Sequence, residues 1–243
     1  MKIKRYQKKF DFSYTFGIYP TIDLLKYQKD SVIKIIKKSN TKGSEGIKEI
    51  EELCEELGIS VEVADRMIER ISFKENTYVI GIFKKYECNL ESSANHLVLV
   101  EPRNMGNLGT IIRTMLGFNY RNLALIGDSA DIFDPKVVRS TMGALFKVNF
   151  KYYKNIEEYM SEFPNHSYYP FMLDGDKDIR EVKFEEPHSI IQGNESKGLG
   201  SEYKNIGQSV FIPHGNDIDS LNLSIATGIG LWEGSRRKRE DVL

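Results

Sequence analysis

The stretch His96-Leu97-Val98-Leu99-Val100-Glu101-Pro102-Arg103-Asn104-Met105-Gly106-Asn107-Leu108-Gly109-Thr110-Ile111-Ile112-Arg113 runs an apolar segment into a glycine-bearing turn and then a helical pattern. A short continuous apolar run with a helix directly behind it is the mark of a strand buried on both faces. Downstream the same alternation repeats. Strands are expected at residues 122–126, 145–150, 169–173, 189–192 and 209–212, helices at 135–142 and 156–162, and a last helix from about Ser220. Such alternation predicts an α/β fold with a mostly parallel sheet covered on both faces.

Upstream, residues 20–27, 46–57 and 65–71 read as helices and residues 32–36, 59–63 and 78–83 as strands, with Gly58 stopping the second helix. This is a small α/β unit of its own. The polar run over residues 84–95 reads as a linker, which divides the chain into domains 1–94 and 95–243.

The composition narrows the function classes. The chain has 243 residues, 40% hydrophobic and 28% charged, and 34 Lys plus Arg against 35 Asp plus Glu give a net charge of -1. That balance excludes a polybasic nucleic-acid binder by bulk charge. The charge is unevenly placed: residues 1–48 carry 12 basic and 4 acidic side chains, residues 49–94 carry 5 and 11, and residues 95–243 carry 17 and 20. The basic start, with Lys2, Lys4, Arg5, Lys8 and Lys9, reads either as a solvated tail or as an arm contacting phosphates. Two cysteines make no disulfide framework and four scattered histidines suggest no metal site. Neither a signal peptide nor a transmembrane helix is expected, so the setting expected is cytoplasmic, with no membrane partner.

Three turns combine glycine with polar side chains behind strands, where open parallel sheets hold their ligands. In the first, Gly106 and Gly109 allow a tight turn, Asn107 is positioned to cap the helix, and Arg113 follows nearly two turns later. The second, Gly193-Asn194-Glu195-Ser196-Lys197-Gly198, places one carboxylate among glycines. The third runs from Ile212-Pro213-His214 to Ser220-Leu221-Asn222-Leu223-Ser224, at the mouth of a helix rich in small residues. Each taken alone also fits a plain helix cap. The dinucleotide fingerprint and the phosphate-loop lysine pattern are missing, which weakens NAD and ATP readings, and no Gly-x-Ser-x-Gly elbow is present.

Together, Asn-x-Gly-x-x-x-Arg at 107–113, Gly-x-Glu-x-x-Gly at 193–198 and Ile-Pro followed by Ser-Leu-Asn-x-Ser at 212–224 resemble motifs one to three of the SpoU (TrmH-type) branch of the SPOUT RNA methyltransferases. Arg139-Ser140-Thr141-Met142-Gly143-Ala144 is similar to an intervening family segment, and the N-terminal unit is similar to the family's small substrate-binding domain. The chain departs from the family at His214, Asn149 and Met115, none of them a polar motif residue.

The resemblance implies S-adenosylmethionine as cofactor, methyl transfer to a ribose 2′-hydroxyl of RNA, a homodimer, and a deep trefoil knot in the C-terminal domain. It implies Arg113, Asn107, Glu195, Ser220 and Asn222 as catalytic residues and Gly193, Ile212 and Leu221 as the cofactor's backbone contacts, with no metal. Arg113 is expected to hold the RNA phosphate and stabilise the developing alkoxide, because a protonated guanidinium has donors and no acceptor. Glu195 is then either a proton acceptor or an orienting group. Ribosomal RNA is the substrate expected, with transfer RNA, base methylation, drug-resistance methylation and a catalytically silent RNA-binding or ribosome-assembly protein as alternatives.

Overall fold

The computed structural model describes residues 3–41, 44–73 and 76–236, so Lys2 lies outside the described residues. Two compact units emerge, one of residues 1–86 with 131–147 and one of residues 87–130 with 148–243.

The first unit contains strands β1 (Phe12–Tyr14), β2 (Val32–Lys37), β3 (Val61–Val63) and β4 (Val79–Lys84), in sheet order β1-β4-β2-β3. β4 runs antiparallel to β1 and β2, and β3 parallel to β2. Helices α1 (Ile18–Tyr27), α2 (Glu45–Leu57) and α3 (Asp65–Ile71) complete it. The sheet alternates as a two-sided core must: Ile35 and Val79 join Ile47, Ile50 and Cys54 of α2, whereas Ile36, Ile80 and Ile82 join Phe12, Tyr14 and Ile68. Gly58 does end α2, in the left-handed region at φ 67°. The start of the chain is more tightly held than a solvated tail, since Ile3 is buried and its carbonyl accepts from Arg70 Nη2 at 2.8 Å.

Residues 131–147, expected in the second domain, cluster with this first unit. Phe133 and Phe146 set their rings 6.0 and 5.3 Å from that of Phe83, and Lys147 pairs with Asp23 at 2.8 Å. The units therefore part at Tyr86/Glu87 with an exchanged segment, in place of a single cut between 94 and 95. The segment holds helix α5 (Pro135–Ser140) and a short 3-10 turn, Ala144–Lys147. The strand expected at 145–150 is displaced for the same reason: Leu145 and Phe146 are buried in that turn, and the strand begins at Asn149.

The second unit is built on five parallel strands, β5 (His96–Val100), β6 (Asn122–Ile126), β7 (Asn149–Tyr153), β8 (Ser167–Pro170) and β10 (His188–Gln192), in the order β7-β6-β5-β10-β8. β9 (Lys177–Asp178) and β11 (Val210–Phe211) form a separate parallel pair. Helix α6 (Ile156–Glu162) packs against β7, and α7 (Leu223–Ser235) packs against both β10 and α4 (Met105–Gly117). Every residue of β6 and β10 is buried, as expected of interior parallel strands. The last helix starts at Leu223, three residues later than expected, because Asn222 caps it.

Sheet order reverses at β5 and β10. The chain leaves β5 toward β6 on one side, while β10 lies on β5's other side. That makes the carboxyl ends of β5 and β10 the topological switch point, where a ligand crevice belongs. Among the described residues, no helix is long and apolar enough to cross a membrane.

Candidate active site

The turn after β5 and the turn after β10 meet at that switch point. Glu101 adopts φ 48°, an unusual conformation for a residue with a side chain, and its carbonyl accepts from Asn194 Nδ2 at 2.7 Å. Asn194 also closes its own turn, accepting from Ser196 N at 2.9 Å and exchanging backbone hydrogen bonds with Gly198. At Gly193 the turn is too tight for any side chain, since a Cβ there would stand 2.2 Å from the Gly198 carbonyl carbon.

This fixed turn aims Glu195 at the start of α4. Its Oε2 accepts from Arg103 N at 3.2 Å, and its Oε1 accepts from Asn104 N at 3.1 Å and from Asn107 Nδ2 at 3.4 Å. A carboxylate is favoured there by the exposed amides and the positive end of the helix. Asn107 does not cap α4, contrary to expectation. Asn104 does, its side chain accepting from Gly106 N at 2.9 Å and Asn107 N at 3.1 Å. The Asn107 side chain is thereby released to face the other two turns, and its Oδ1 accepts from Asn222 Nδ2 at 3.4 Å. Asn222 in turn caps α7, accepting from Ser224 N at 2.9 Å and Ser224 Oγ at 2.7 Å. Glu195, Asn107 and Asn222 thus form one chain of hydrogen bonds joining three turns far apart in sequence.

Beside this chain lies a cavity of about 390 Å³. Gly193, Glu195, Ile212, Ser220 and Leu221 all line it, so the residues expected to hold a cofactor share a wall with two of those expected to act in catalysis. Asn107 and Asn222 are not among the lining residues. Arg113 is exposed on α4 outside the cavity lining and, among the described residues, makes no hydrogen bond or ion pair. Asn104, Asn194 and Gln192 were not singled out by sequence reading. Asn104 and Asn107 are equally good caps by residue type, three positions apart, and only the turn's path chooses between them. His214 also borders the cavity, with Nδ1 at 2.9 Å from the Ile212 carbonyl.

Residues 94–232 match the family described as the SpoU rRNA Methylase family. Over 145 residues the chain is 31% identical to a 23S rRNA (uridine(2479)-2'-O)-methyltransferase of Streptomyces viridochromogenes, covering 56% of this chain and 50% of that protein. It is 24% identical over 242 residues to a 23S rRNA (guanosine-2'-O-)-methyltransferase of Acinetobacter baylyi, covering 93% and 97%. A crystal structure of an AdoMet-bound rRNA methyltransferase from Sinorhizobium meliloti superposes with TM-score 0.80 and 27% identity, over 93% of this chain and 88% of that one. The chain spans about half the length of the curated relatives from Streptomyces and Synechocystis, at 50% and 53%.

Proposed function

The chain belongs to the SpoU rRNA methylase family, and from that footing we propose that it transfers the methyl group of S-adenosylmethionine to a ribose 2′-hydroxyl of RNA, with ribosomal RNA as the substrate class. The observation that carries this is the Glu195–Asn107–Asn222 chain of hydrogen bonds beside the cavity. A polar cluster joined across three turns next to an apolar slot serves alignment of a hydroxyl with a bound small molecule.

The cavity suits S-adenosylmethionine in size, lying within the roughly 300–1,000 Å³ of small-molecule sites, and it is bordered by a buried side-chain amide, that of Gln192, whose Nε2 lacks a partner. When bound, this co-substrate supplies a methyl carbon activated by a sulfonium. Gly193, Ile212 and Leu221 are the residues that would hold it.

Glu195 is an orienting group in this mechanism, because both its oxygens already accept hydrogen bonds, three in total. It holds the Asn107 amide, which with Asn222 keeps the mouth of α7 in register with α4. Ser220, exposed on the cavity wall, positions the ribose. Arg113 binds an RNA phosphate and stabilises the oxyanion as the hydroxyl proton leaves, a task suited to a group with five donors and no acceptor. Its exposure supports action on a site in a second copy. The exposed Ile225 and Trp232, seven residues apart on α7, support a homodimer that covers this apolar strip.

The first unit acts as the RNA-reading part, supported by the exposed Lys4, Arg5, Lys8 and Lys9. The C-terminal part is threaded as a trefoil knot, in keeping with β10 lying between β5 and β8, and the enzyme meets its RNA in the cytoplasm. The test is methyl transfer from labelled S-adenosylmethionine to unmodified ribosomal RNA and, separately, transfer RNA, followed by nucleoside analysis. Label in a 2′-O-methylnucleoside of ribosomal RNA is the expected result. Label in a base overturns the ribose assignment, and label in transfer RNA alone overturns the substrate class.

A further inference from the structure

Gln192 ends β10 and is almost wholly buried, with 3% of its surface exposed, yet among the described residues its Nε2 has no hydrogen-bond partner. Its position is rigid. Leu99 of β5 is its neighbour in register, and the next residue, Gly193, is locked against the backbone of Gly198 and Leu199. The amide borders the cavity and lies under α7, where a Cβ on Gly230 would stand 3.6 Å from Nε2 and 3.0 Å from the ring of Phe171. One turn earlier on the same face of α7, Thr227 is fully buried and its Oγ1 also lacks a partner. Buried polar groups without partners are rare, and one at the edge of a ligand cavity, as Gln192 is, marks a place where a ligand supplies the missing partner.

An amide carries a donor and an acceptor side by side in one plane, and the edge of S-adenosylmethionine that matches it is that of its adenine, with a ring nitrogen next to an exocyclic amino group. The ring of Phe171 and the bare backbone of Gly230 beside the amide give an apolar surface that suits a flat neutral ring. Resting on the reading of the cavity as an S-adenosylmethionine site, we infer that Gln192 reads the adenine ring, its Nε2 donating to the ring nitrogen and its Oε1 accepting from the exocyclic amino group.

The experiment is titration calorimetry of the full chain with S-adenosylhomocysteine and with its analogue in which hydrogen replaces the amino group at purine C6. The unmodified protein binds the adenosine compound about tenfold more tightly than this analogue, the size of one good hydrogen bond. Gln192→Met, which keeps length and shape without the amide, weakens S-adenosylhomocysteine about tenfold and brings the two ligands within about twofold of each other. Gln192→Glu, nearly isosteric and with no amino group, weakens both ligands and serves if Gln192→Met does not fold. If folded Gln192→Met keeps the original preference, or folded Gln192→Glu binds both ligands as tightly as the unmodified protein, Gln192 is not the reader. If the unmodified protein binds neither compound while folded, the co-substrate assignment falls and takes this one with it, an outcome distinct from retained preference.

Discussion

At the scale of single residues, the site separates groups that hold from groups that react. Glu195 is fully engaged by Arg103 N, Asn104 N and Asn107 Nδ2. Glu195→Gln therefore turns an acceptor-only group into one that presents an amino group to donors. We expect single-turnover methyl transfer to fall on the order of 100-fold, with the pH profile unchanged in shape. Loss of a titrating limb from that profile is the result that makes Glu195 the base after all.

Far from the site, His96 is fully buried, its Nε2 2.9 Å from the Glu91 carbonyl and its Nδ1 2.8 Å from the Tyr159 hydroxyl. Burial pushes the imidazole down to about 4, and it also lowers His166. The unfolded chain takes up the His96 proton near pH 6.5 and the folded chain only near pH 4. The stability is thus present above pH 6.5 and is lost as pH falls toward 4, by about 3 kcal/mol from His96. Urea unfolding at pH 7 and pH 5 measures this, and equal midpoints at the two values contradict it.

Among elements, the turn that follows β10 is tightly constrained. Gly193→Ala forces a Cβ to within 2.2 Å of the Gly198 carbonyl carbon and 2.4 Å of Leu199 N, both backbone atoms that cannot swing aside as a flexible side chain would. We expect a loss of about 1–3 kcal/mol in stability, as for other overpacked sites. Binding of S-adenosylmethionine should be lost with it, because the same turn carries Glu195 and lines the cavity. Thermal melting and calorimetry together decide the point, and normal ligand affinity in a folded Gly193→Ala protein speaks against a rigid turn. The helix that follows β5 shows how much of an element is visible beforehand. The extent of β5 and the turn after it follow from residue types, whereas the choice of Asn104 over Asn107 as cap does not. β1 was missed because Phe12-Ser13-Tyr14 is too short to show alternation and is a strand only through β4.

On the scale of the whole molecule, the two units share the chain unevenly. Because Phe133 and Phe146 pack on Phe83, a fragment of residues 1–94 leaves that face of the first unit uncovered. Such a fragment should lack a cooperative thermal transition, and a sharp two-state melt is the outcome that counters this. For RNA binding, charge neutralisation of Arg5, Lys8 and Lys9 with Lys2 should weaken affinity and flatten its salt dependence by nearly one unit of log-log slope for each lost phosphate contact. Arg5 is already used in part, its Nε donating to the Arg70 carbonyl at 3.1 Å, so Lys8 and Lys9 should carry more of the effect. An unchanged salt slope returns these residues to a structural role.

From residue order alone came the α/β class, the parallel character of the second sheet and the three polar turns, because each rests on neighbours within a few positions: apolar runs, glycine in turns, caps at helix starts. Asn107, Glu195 and Asn222 were visible as candidates for the same reason. That they form one hydrogen-bonded chain was decided only by the tertiary structure, since residues 107, 195 and 222 meet through the placement of β10 beside β5 and the packing of α7 on α4. The same holds for residues 131–147, whose aromatic side chains could have been buried against either unit; Phe83 supplies the surface that decides it. It holds equally for Gln192, whose significance is a missing partner, a property of what surrounds a side chain and of nothing in its own chemistry.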